Sequence, residues 1–314
     1  MTRRFPLVGL AVGPALLILA LSACSDSPVD DAPEAADVFV GADGVIVDTP
    51  DTTRIVTLSG DLTEFVFELG LGASVVATDV TTVAPDEAVL LPKAGIGRFL
   101  TAEGVLKHDP TLVIADTQTS PASAIEQIRA AGVPVAVLEV PTTFDGLYGK
   151  VASLGLLLET SEAAAALNDR LEAEITAASV SSGDEVITLR VAYVYTRGPN
   201  VMLLFGEGMT TTPVIEAAGG LDAGVDAGVE GNVPVTPEAL AAAAPDVLVV
   251  PEEGYAVLGG IEGLLAIPGV AATPAGVNRA VFAYPEGDFL TFGPRIAASI
   301  ERLVTDLRSL PSAP

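Results

Sequence analysis

Residues 101–115 have the sequence TAEGVLKHDPTLVIA, and residues 236–250 have the sequence TPEALAAAAPDVLVV. Each stretch predicts a short helix, a turn at a proline and then a buried strand of aliphatic residues. Strands that alternate with helices in this way belong to βαβ units around a parallel sheet. Because the pattern occurs once in each half of the chain, it predicts two similar α/β lobes.

The rest of the chain agrees with this interpretation. Alternating strand and helix patterns run up to residue 143 and resume near residue 189, and one long helical pattern, residues 144–178, separates them. We therefore predict an α/β fold of two Rossmann-like lobes, residues 53–143 and 185–314, joined by one long connecting helix and a linker within residues 144–184. Ligands of open α/β sheets bind beyond the carboxyl ends of the strands, so we expect a ligand cleft between the lobes.

The charge balance excludes several classes of partner and site. The chain has 314 residues, with 15 Lys and Arg against 41 Asp and Glu and a formal net charge of −26 at pH 7. The chain has too few cations, and no basic cluster, to neutralise a phosphate backbone or to bind an anionic lipid surface. No nucleic-acid partner is therefore expected. One Cys excludes a disulfide framework and a cysteine-based zinc site. The 50% of hydrophobic residues are enough for a sizeable core.

The amino terminus predicts export. Arg3 and Arg4 precede a mostly apolar run, residues 7–21, which has the length of a signal-peptide core and is short for a membrane span. The next residues, Leu21-Ser22-Ala23-Cys24, resemble the lipobox of bacterial lipoproteins. The resemblance implies a lipid on Cys24 and anchoring to the cell membrane on its extracytoplasmic side. The alternative is an ordinary signal peptide or membrane anchor with an incidental cysteine.

The predicted cleavage site divides the chain into regions of different charge. Residues 1–23, the predicted signal peptide, contain two arginines and no acid, so the exported part has 13 basic and 41 acidic residues and a net charge of −28. Residues 24–52 are rich in Asp, Pro, Ala and Ser and show little periodicity. This composition predicts a flexible acidic tether between the membrane and the first lobe.

Several motifs between residue 53 and the end of the chain resemble one family. They include Arg54-Ile55-Val56-Thr57-Leu58, Ala94-Gly95-Ile96-Gly97-Arg98, Ala218-Gly219-Gly220, residues 259–270 and Phe292-Gly293-Pro294-Arg295. Together they resemble the helical-backbone (class III) substrate-binding proteins of ABC importers, which bind iron–siderophores, haem or cobalamin, and they are most similar to the haem-binding branch. The resemblance implies a protein that captures haem and delivers it to a permease and its ATPase, with no intrinsic cofactor.

Two arginines are candidates for binding carboxylates of the ligand. Arg98 lies in a glycine-rich loop just before a helix, and Arg197 follows the predicted strand that ends at Tyr195. Arginine suits planar carboxylates because its guanidinium forms bidentate hydrogen bonds. The alternative for each arginine is a pair with an acid at the surface.

Haem iron is bound by His, Tyr or Met. Tyr255 follows a predicted strand, and the resemblance implies that a tyrosine of this loop can be an axial iron ligand. Met202 and Met209, in the predicted loop after Arg197, are softer candidates, and the alternative for all three residues is packing. His108, the only histidine, precedes its strand at the amino end, away from the expected cleft, so we do not expect it to bind iron. The haem branch often uses a histidine from the loop after this strand, where this chain has Asp-Thr-Gln-Thr at residues 116–119.

The resemblance also implies one glutamate on each lobe that docks on arginines of the permease. By motif position these are Glu64, at a helix start, and Glu216, just before Ala217-Ala218-Gly219-Gly220. Such pairs would mainly affect orientation and association rate. The alternative is solvated surface charge.

An enzyme is not expected. The only histidine lies outside any nucleophile–histidine arrangement, and no Lys-Ser/Thr follows Gly206-Glu207-Gly208, as a phosphate-binding loop would require. Two alternatives to a haem carrier stay open. One is an iron–siderophore or cobalamin-binding protein of the same class, and the other is a cell-surface adhesion or structural lipoprotein.

Overall fold

The structure is a computed structural model that describes residues 38–180 and 188–311. The elements of the first lobe follow one another in chain order. They are β1 (Phe39–Val40), β2 (Ile46–Val47), β3 (Ile55–Thr57), α1 (Gly60–Glu68), β4 (Val75–Asp79), α2 (Asp86–Val89), β5 (Lys93–Gly95), α3 (Ala102–Leu106), β6 (Leu112–Asp116), α4 (Ala122–Ala130) and β7 (Val135–Leu138).

Strands β3 to β7 form one parallel sheet in the order β5-β4-β3-β6-β7. The chain begins at the centre, adds strands on one side and then crosses to the other side, which is the Rossmann order. Every residue of β6 and β7 is buried, as expected for strands with helices on both faces. The prediction of a Rossmann-like first lobe is confirmed. Its strand order reverses between β3 and β6, where a ligand crevice is expected.

Two helices connect the lobes instead of the predicted single one. They are α5 (Phe144–Leu157) and α6 (Ser161–Ala178). Glu159 has a φ of +56°, a left-handed conformation that ends an α-helix, and the N–H of Thr160 donates to the carbonyl of Gly155 at 2.8 Å. The two helices pack against each other, and α6 also packs against the last helix of the second lobe. Glycine usually occupies such a position and is absent here, so the local signal for the break was limited to Thr160 and Ser161 at the start of α6.

The second lobe is also an α/β structure. Its elements are β8 (Arg190–Thr196), β9 (Met202–Phe205), α7 (Thr211–Ala217), β10 (Leu221–Asp222), α8 (Ala223–Asp226), β11 (Asn232–Pro234), α9 (Pro237–Ala243), β12 (Val247–Pro251), α10 (Glu252–Leu258), α11 (Ile261–Leu265), α12 (Pro274–Asn278), β13 (Val281–Tyr284), α13 (Gly287–Leu290) and α14 (Ile296–Arg308).

The sheet of the second lobe is mixed. Its order is β11-β9-β8-β12-β13, and β10 also pairs with β8. Strands β8, β10, β12 and β13 are parallel, whereas β9 and β11 run antiparallel to their neighbours. The segment after Arg197 therefore turns back on β8 as a strand, although the sequence indicated a loop there. The predicted pair of α/β lobes is confirmed, with this antiparallel edge as the difference.

Part of the predicted tether is folded onto the first lobe. Strands β1 and β2 form an antiparallel hairpin in which Phe39 and Val47 are only 4% and 6% exposed. The N–H of Ala42 donates to the carbonyl of Val137 at 2.8 Å, and a salt bridge joins Asp43 to Arg129 at 2.7 Å. The prediction of a flexible tether is therefore wrong for residues 38–52, because two apolar side chains there join the core. Residues 24–37 lie outside the described part.

The lobes share one apolar core. A continuous cluster of buried side chains includes members of both sheets, of α5 and α6, and of α14. The rings of Phe144, at the start of α5, and Phe292, before α14, stack with centroids 5.6 Å apart. Within residues 38–180 and 188–311, no helix combines the length and hydropathy that a membrane crossing requires.

Candidate ligand-binding cleft

The carboxyl ends of the two sheets meet at the boundary between the lobes. Glu64 lies on α1, directly after β3, and its carboxylate pairs with Arg295, between β13 and α14, at 2.8 and 3.0 Å. Gly293 packs against Asp61 at the start of α1, where a Cβ on the glycine would lie 3.4 Å from the Cβ of the aspartate. Both segments follow the carboxyl ends of their strands, so the predicted cleft lies along this boundary.

Apolar side chains are exposed along the same edges. Those of the first lobe follow β4 and β5, and those of the second lobe lie in the turn after β8 and on α10. They are Val80, Val83, Ile96 and Phe99 in the first lobe, and Val201 and Val257 in the second. Phe99 is 78% exposed and Val257 is 66% exposed. Clustered apolar groups beyond strand ends suit a flat, apolar ligand.

Arg98 lies at the edge of the first lobe. Its Nη2 donates a hydrogen bond to the Oε1 of Gln118, which follows β6, at 2.7 Å. Two hydrogen bonds hold the turn in place: Gly97 N–H donates to Asp79 at 2.6 Å, and the Ser120 hydroxyl donates to the carbonyl of Arg98 at 2.9 Å. The amide of Gln118 is neutral and leaves the charge of Arg98 uncompensated. Arg98 thus meets the requirement for binding a ligand carboxylate.

Arg197 lies at the edge of the second lobe and has two partners. Its Nε donates to the hydroxyl oxygen of Tyr195 at 2.7 Å, and its Nη2 lies 2.7 Å from both carboxylate oxygens of Glu286. The hydrogen bond to Tyr195 and the charge of Glu286 raise the pKa of the Arg197 guanidinium against the opposing effect of burial. Arg197 is thus paired with an acid, as in the alternative to ligand binding, and it also contacts a tyrosine hydroxyl.

Tyr195 is a candidate site residue that was not predicted from the sequence. It is half-buried near the end of β8, its ring stacks on Phe205 with centroids 6.0 Å apart, and Arg197 binds its hydroxyl. A signal was present in the sequence. Residues two positions apart in a strand point to the same face, so a tyrosine followed by an arginine at the end of β8 places both groups together.

The other candidate iron ligands have different surroundings. Side chains of β8 alternate between two apolar clusters, and that of Tyr195 packs against the core that the lobes share. Tyr255, on α10, and Met202, on β9, pack half-buried against the cluster on the opposite face of the sheet. Met209 packs against the shared core. Tyr255 and Met202 are therefore separated from Tyr195 by the sheet.

Buried polar groups lie beneath the Glu64–Arg295 pair. Lys150, on α5, forms a buried ion pair with Asp61. Burial alone would raise the pKa of Asp61, but the charge and hydrogen bond of Lys150 hold this pKa below its ordinary value. Asp116, at the end of β6, shows the opposite effect, because burial and the nearby charge of Asp61 raise its pKa. Internal partners therefore occupy the polar groups at the strand-order reversal of the first lobe.

The structure corrects the predicted docking role of Glu64. Its side chain is only 8% exposed, both carboxylate oxygens bind Arg295, and burial raises its pKa. A docking glutamate must be accessible to an arginine of the partner protein, whereas the second lobe of this chain supplies the arginine for Glu64. Glu216 is exposed on α7, so its docking role stays a prediction.

The remaining predicted residues lie away from the cleft or outside the described part. His108 lies between α3 and β6, at the amino end of β6, as the sequence indicated. Burial lowers its pKa, and its Nε2 is buried without a hydrogen-bond partner. Cys24 lies outside the described residues. In the described ranges, no group of three or more His, Cys, Asp or Glu side chains is placed to hold a metal ion.

Glu103 and Glu238 are exposed at equivalent positions of the two lobes. Each is the second residue of its helix, α3 or α9, and the hydroxyl of Thr101 or Thr236 caps that helix. Each helix runs from the carboxyl edge of its sheet back to the start of the next strand. The two glutamates therefore lie at the cleft edge of their lobes, and the sequence repeat at residues 101–115 and 236–250 was the signal for them.

Solved structures similar to this one include haem-binding proteins. The heme-binding protein RhuT from Roseiflexus sp. RS-1, in apo form, has a TM-score of 0.77 and 37% identity, over 82% of this chain and 99% of that chain. The heme-binding protein HmuT has a TM-score of 0.78 and 31% identity, over 90% and 93% of the two chains. Three single alanine variants of HmuT have also been solved. One replaces a tyrosine, one replaces an arginine two positions after that tyrosine, and one replaces a histidine.

Sequence comparisons point to the same class of protein. A family model described as periplasmic binding protein matches residues 55–287. The cobalamin-binding protein of Halobacterium salinarum is 28% identical over 238 residues, which are 72% of this chain and 59% of that protein. The match thus spans less than two thirds of that relative.

Proposed function

Because this chain belongs to the periplasmic binding protein family, we propose that it is the substrate-binding protein of an ABC importer and captures haem between its lobes. The observation that carries the proposal is the contact of Tyr195 with Arg197 at the carboxyl end of β8. A tyrosine and an arginine with the same spacing are the residues replaced in two HmuT variants. The similarity to RhuT and HmuT supports haem as the ligand.

The groups around the cleft match the parts of a haem molecule. Tyr195 provides the phenolic oxygen, a known type of ligand for haem iron, and the Nε of Arg197 donates a hydrogen bond to that oxygen. The exposed apolar residues cover the porphyrin, at about 25 cal/mol for each Å² removed from water. Arg98 binds a propionate by a charge-assisted hydrogen bond. The protein binds and releases its ligand without a catalytic step.

A spectroscopic titration with haemin tests the ligand and the iron-binding residue together. We expect the purified protein to shift the Soret band and to produce the visible charge-transfer absorption of a tyrosine-bound ferric haem. Tyr195→Phe removes this absorption, whereas Tyr255→Phe, a matched change on the other face of the sheet, leaves it in place. An unchanged Soret band at micromolar haemin would exclude haem. The reverse behaviour of the two variants would assign the iron to Tyr255.

The relative that binds cobalamin favours a corrinoid as a second candidate. Cobalamin carries amide side chains where haem carries carboxylates, so Arg98 would contribute less to its binding. Equilibrium dialysis against cyanocobalamin distinguishes the two ligands. Retention of cyanocobalamin by a protein that leaves the haemin spectrum unchanged would establish the corrinoid.

We propose that Glu103 and Glu238 dock on the permease. Both are exposed at the cleft edge, one on each lobe, so a permease that contacts both lies over the opening through which the ligand leaves. Pairing of such carboxylates with permease arginines contributes mainly orientation and association rate. Glu216 is the alternative on the second lobe.

Export and a lipid on Cys24 complete the proposal. They rest on the charge and apolar pattern of residues 1–24, and the lipid would keep the protein beside its permease. Fractionation of cells that express Cys24→Ser tests the anchor. The variant is expected in the soluble fraction, and its retention in the membrane would contradict a lipid on this residue.

A further inference from the structure

Glu286 contacts the cleft from a segment distant in sequence. It immediately precedes α13, and both its carboxylate oxygens lie 2.7 Å from the Nη2 of Arg197, 89 positions earlier. Its side chain is 25% exposed, whereas that of Arg197 is 53% exposed. The more restricted partner is thus the carboxylate, and the more exposed partner is the arginine that it holds.

The geometry of the guanidinium transmits this contact to Tyr195. A guanidinium is planar, and its donors form a rigid fork, so holding Nη2 also sets the direction of Nε. Nε donates to the phenolic oxygen at 2.7 Å. A guanidinium has no acceptor, so the oxygen of Tyr195 must accept this hydrogen bond. The proton of the phenol is therefore directed away from Arg197, and its replacement by iron leaves the hydrogen bond intact.

We propose that Glu286 is a positioning residue: it orients Arg197 so that Nε remains on the oxygen of Tyr195 when that oxygen binds haem iron. The proposal rests on the proposed function and deepens it. In this role Glu286 acts through its contact with Arg197 and needs no contact with the ligand. Without it, the exposed arginine gains other rotamers and spends less time as a donor to the phenolate.

The charge of Glu286 acts in the opposite direction to its orienting effect. A carboxylate beside Arg197 offsets part of the positive charge that favours the phenolate. Other titratable and charged groups near this end of the sheet include Tyr193, which is buried on β8, Glu253, on α10, and Asp288, on α13, which lies 4.0 Å from Arg302 of α14. The two effects are separated by substitution, because Glu286→Ala removes both, whereas Glu286→Gln removes the charge and keeps an oxygen that accepts from Nη2.

The test follows the tyrosine charge-transfer absorption of the ferric haem complex during acidification. Protonation of the phenolate ends its bond to iron, so the midpoint of the loss measures how well the site stabilises the phenolate. We expect Glu286→Ala to raise this midpoint by about one pH unit, a tenfold change in proton affinity. Glu286→Gln is expected to remain at or below the wild-type midpoint. Glu253→Ala is the matched control for loss of one nearby negative charge.

Two results would overturn the proposal. One is a wild-type midpoint in Glu286→Ala. The other is an equal fall of the midpoint in the Ala and Gln variants, which would mean that Glu286 acts through its charge alone. If Glu286→Ala does not fold, Glu286→Asp makes the same test, because it keeps the charge but withdraws the carboxylate by one methylene. It is then expected to raise the midpoint, and a wild-type midpoint would overturn the proposal.

A measurement without haem separates this proposal from the proposed function. The ultraviolet phenolate band of Tyr195 is obtained as the difference between the alkaline titrations of the protein and of its Tyr195→Phe variant. With Glu286→Ala as background, we expect this band to form at higher pH than with Glu286 present. No difference would overturn the role of Glu286 even if haem binds. A clear difference in a protein that does not bind haem would refute only the proposed ligand.

Discussion

The two cleft arginines differ in how far their charge is already compensated. Arg197 is held between Tyr195 and Glu286, whereas Arg98 contacts the neutral amide of Gln118. Arg98 is therefore the cation more available to an anionic ligand, and Arg197 is committed to the tyrosine. The division of roles between them follows from their partners.

We expect Arg98→Ala to weaken haem binding by about 10-fold to 100-fold, since a hydrogen bond to a charged group contributes about 1.5–3 kcal/mol. A fluorescence-quenching or Soret titration gives the two dissociation constants. Arg279→Ala is the control, because this arginine precedes β13 at the opposite edge of the sheet and pairs with Glu262. Equal affinities of the Arg98 variant and the wild type would remove Arg98 from the ligand site.

For single residues, the sequence predicted positions in loops and turns better than it predicted which charged side chains form ion pairs. Arg98 lies in the turn before α3 and Arg197 lies directly after β8, as the sequence indicated. Glu64 was mistaken for a surface residue because its partner Arg295 lies 231 positions away. A local pattern carries no information about a contact of that range, and the partner decides whether a carboxylate is buried or exposed.

The repeated helices α3 and α9 predict a symmetric docking surface. We expect charge reversal of both Glu103 and Glu238 to abolish stimulation of the ATPase of the reconstituted importer, because arginines of the permease would then face like charges. The haemin spectrum should not change. Reversal of Glu216 is the comparison. Full stimulation by the double variant would remove both glutamates from the docking surface, and loss of stimulation in the Glu216 variant would place the contact of the second lobe on α7.

The β1–β2 hairpin is a structural element of the first lobe. Phe39 joins the shared core, whereas its neighbour Val40 is 59% exposed. We expect Phe39→Ala to lower the free energy of unfolding by about 3 kcal/mol, since it removes a large buried side chain. Val40→Ala should change it by less than about 0.5 kcal/mol. Urea unfolding measures both, and equal small effects would show that the hairpin does not contribute to the core.

Helices and strands were predictable where local signals were strong. The buried strands β6, β7 and β12 follow from aliphatic runs between turn residues, and the repeat located α3 and α9. The break between α5 and α6 was missed because Glu159 occupies a left-handed position without a glycine. Strand β9 was missed because its ladder with β8 and β11 depends on tertiary pairing.

The ion pair between Glu64 and Arg295 joins the two lobes. We expect Arg295→Ala to destabilise the protein by about 1–3 kcal/mol, because it leaves a buried carboxylate unpaired. The effect is not larger because Arg295 is half-exposed, so solvent already screens the ion pair. Arg170→Ala removes an exposed pair with Glu68 and is the matched control, with an expected change below about 0.5 kcal/mol. Denaturant unfolding compares them. Equal effects would show that the interlobe pair contributes no more than a surface pair.

Stability is expected to be greatest at mildly acidic pH. Burial raises the pKa of a group of carboxyls, namely Glu64, Asp116, Asp222 and Asp288. Between the ordinary value near 4 and these raised values, the folded chain binds more protons than the unfolded chain, so its stability rises as pH falls through this window. Asp61 has the opposite effect, because its pKa is lowered in the folded chain. Its ionised form stabilises the fold, and this stabilisation is lost as the pH falls below the ordinary value near 4.

Thermal unfolding at constant ionic strength tests this pH dependence. We expect Tm to increase as the pH falls from neutral towards the ordinary carboxyl pKa near 4, and to fall at lower pH. His108 opposes the increase, because burial lowers its pKa and the unfolded chain gains its proton first. A Tm that falls steadily from pH 7.5 to pH 5 would show that the buried carboxyls do not control stability in this range.

The chain passes between the lobes once, through α5 and α6. A cut in the backbone between α6 and β8 therefore leaves both sheets complete, the first within residues 55–138 and the second within residues 190–284. The shared apolar core would then become the interface of a heterodimer, so two fragments made together are suited to reassemble. In such a split protein, ligand binding would report the association of two separately encoded polypeptides.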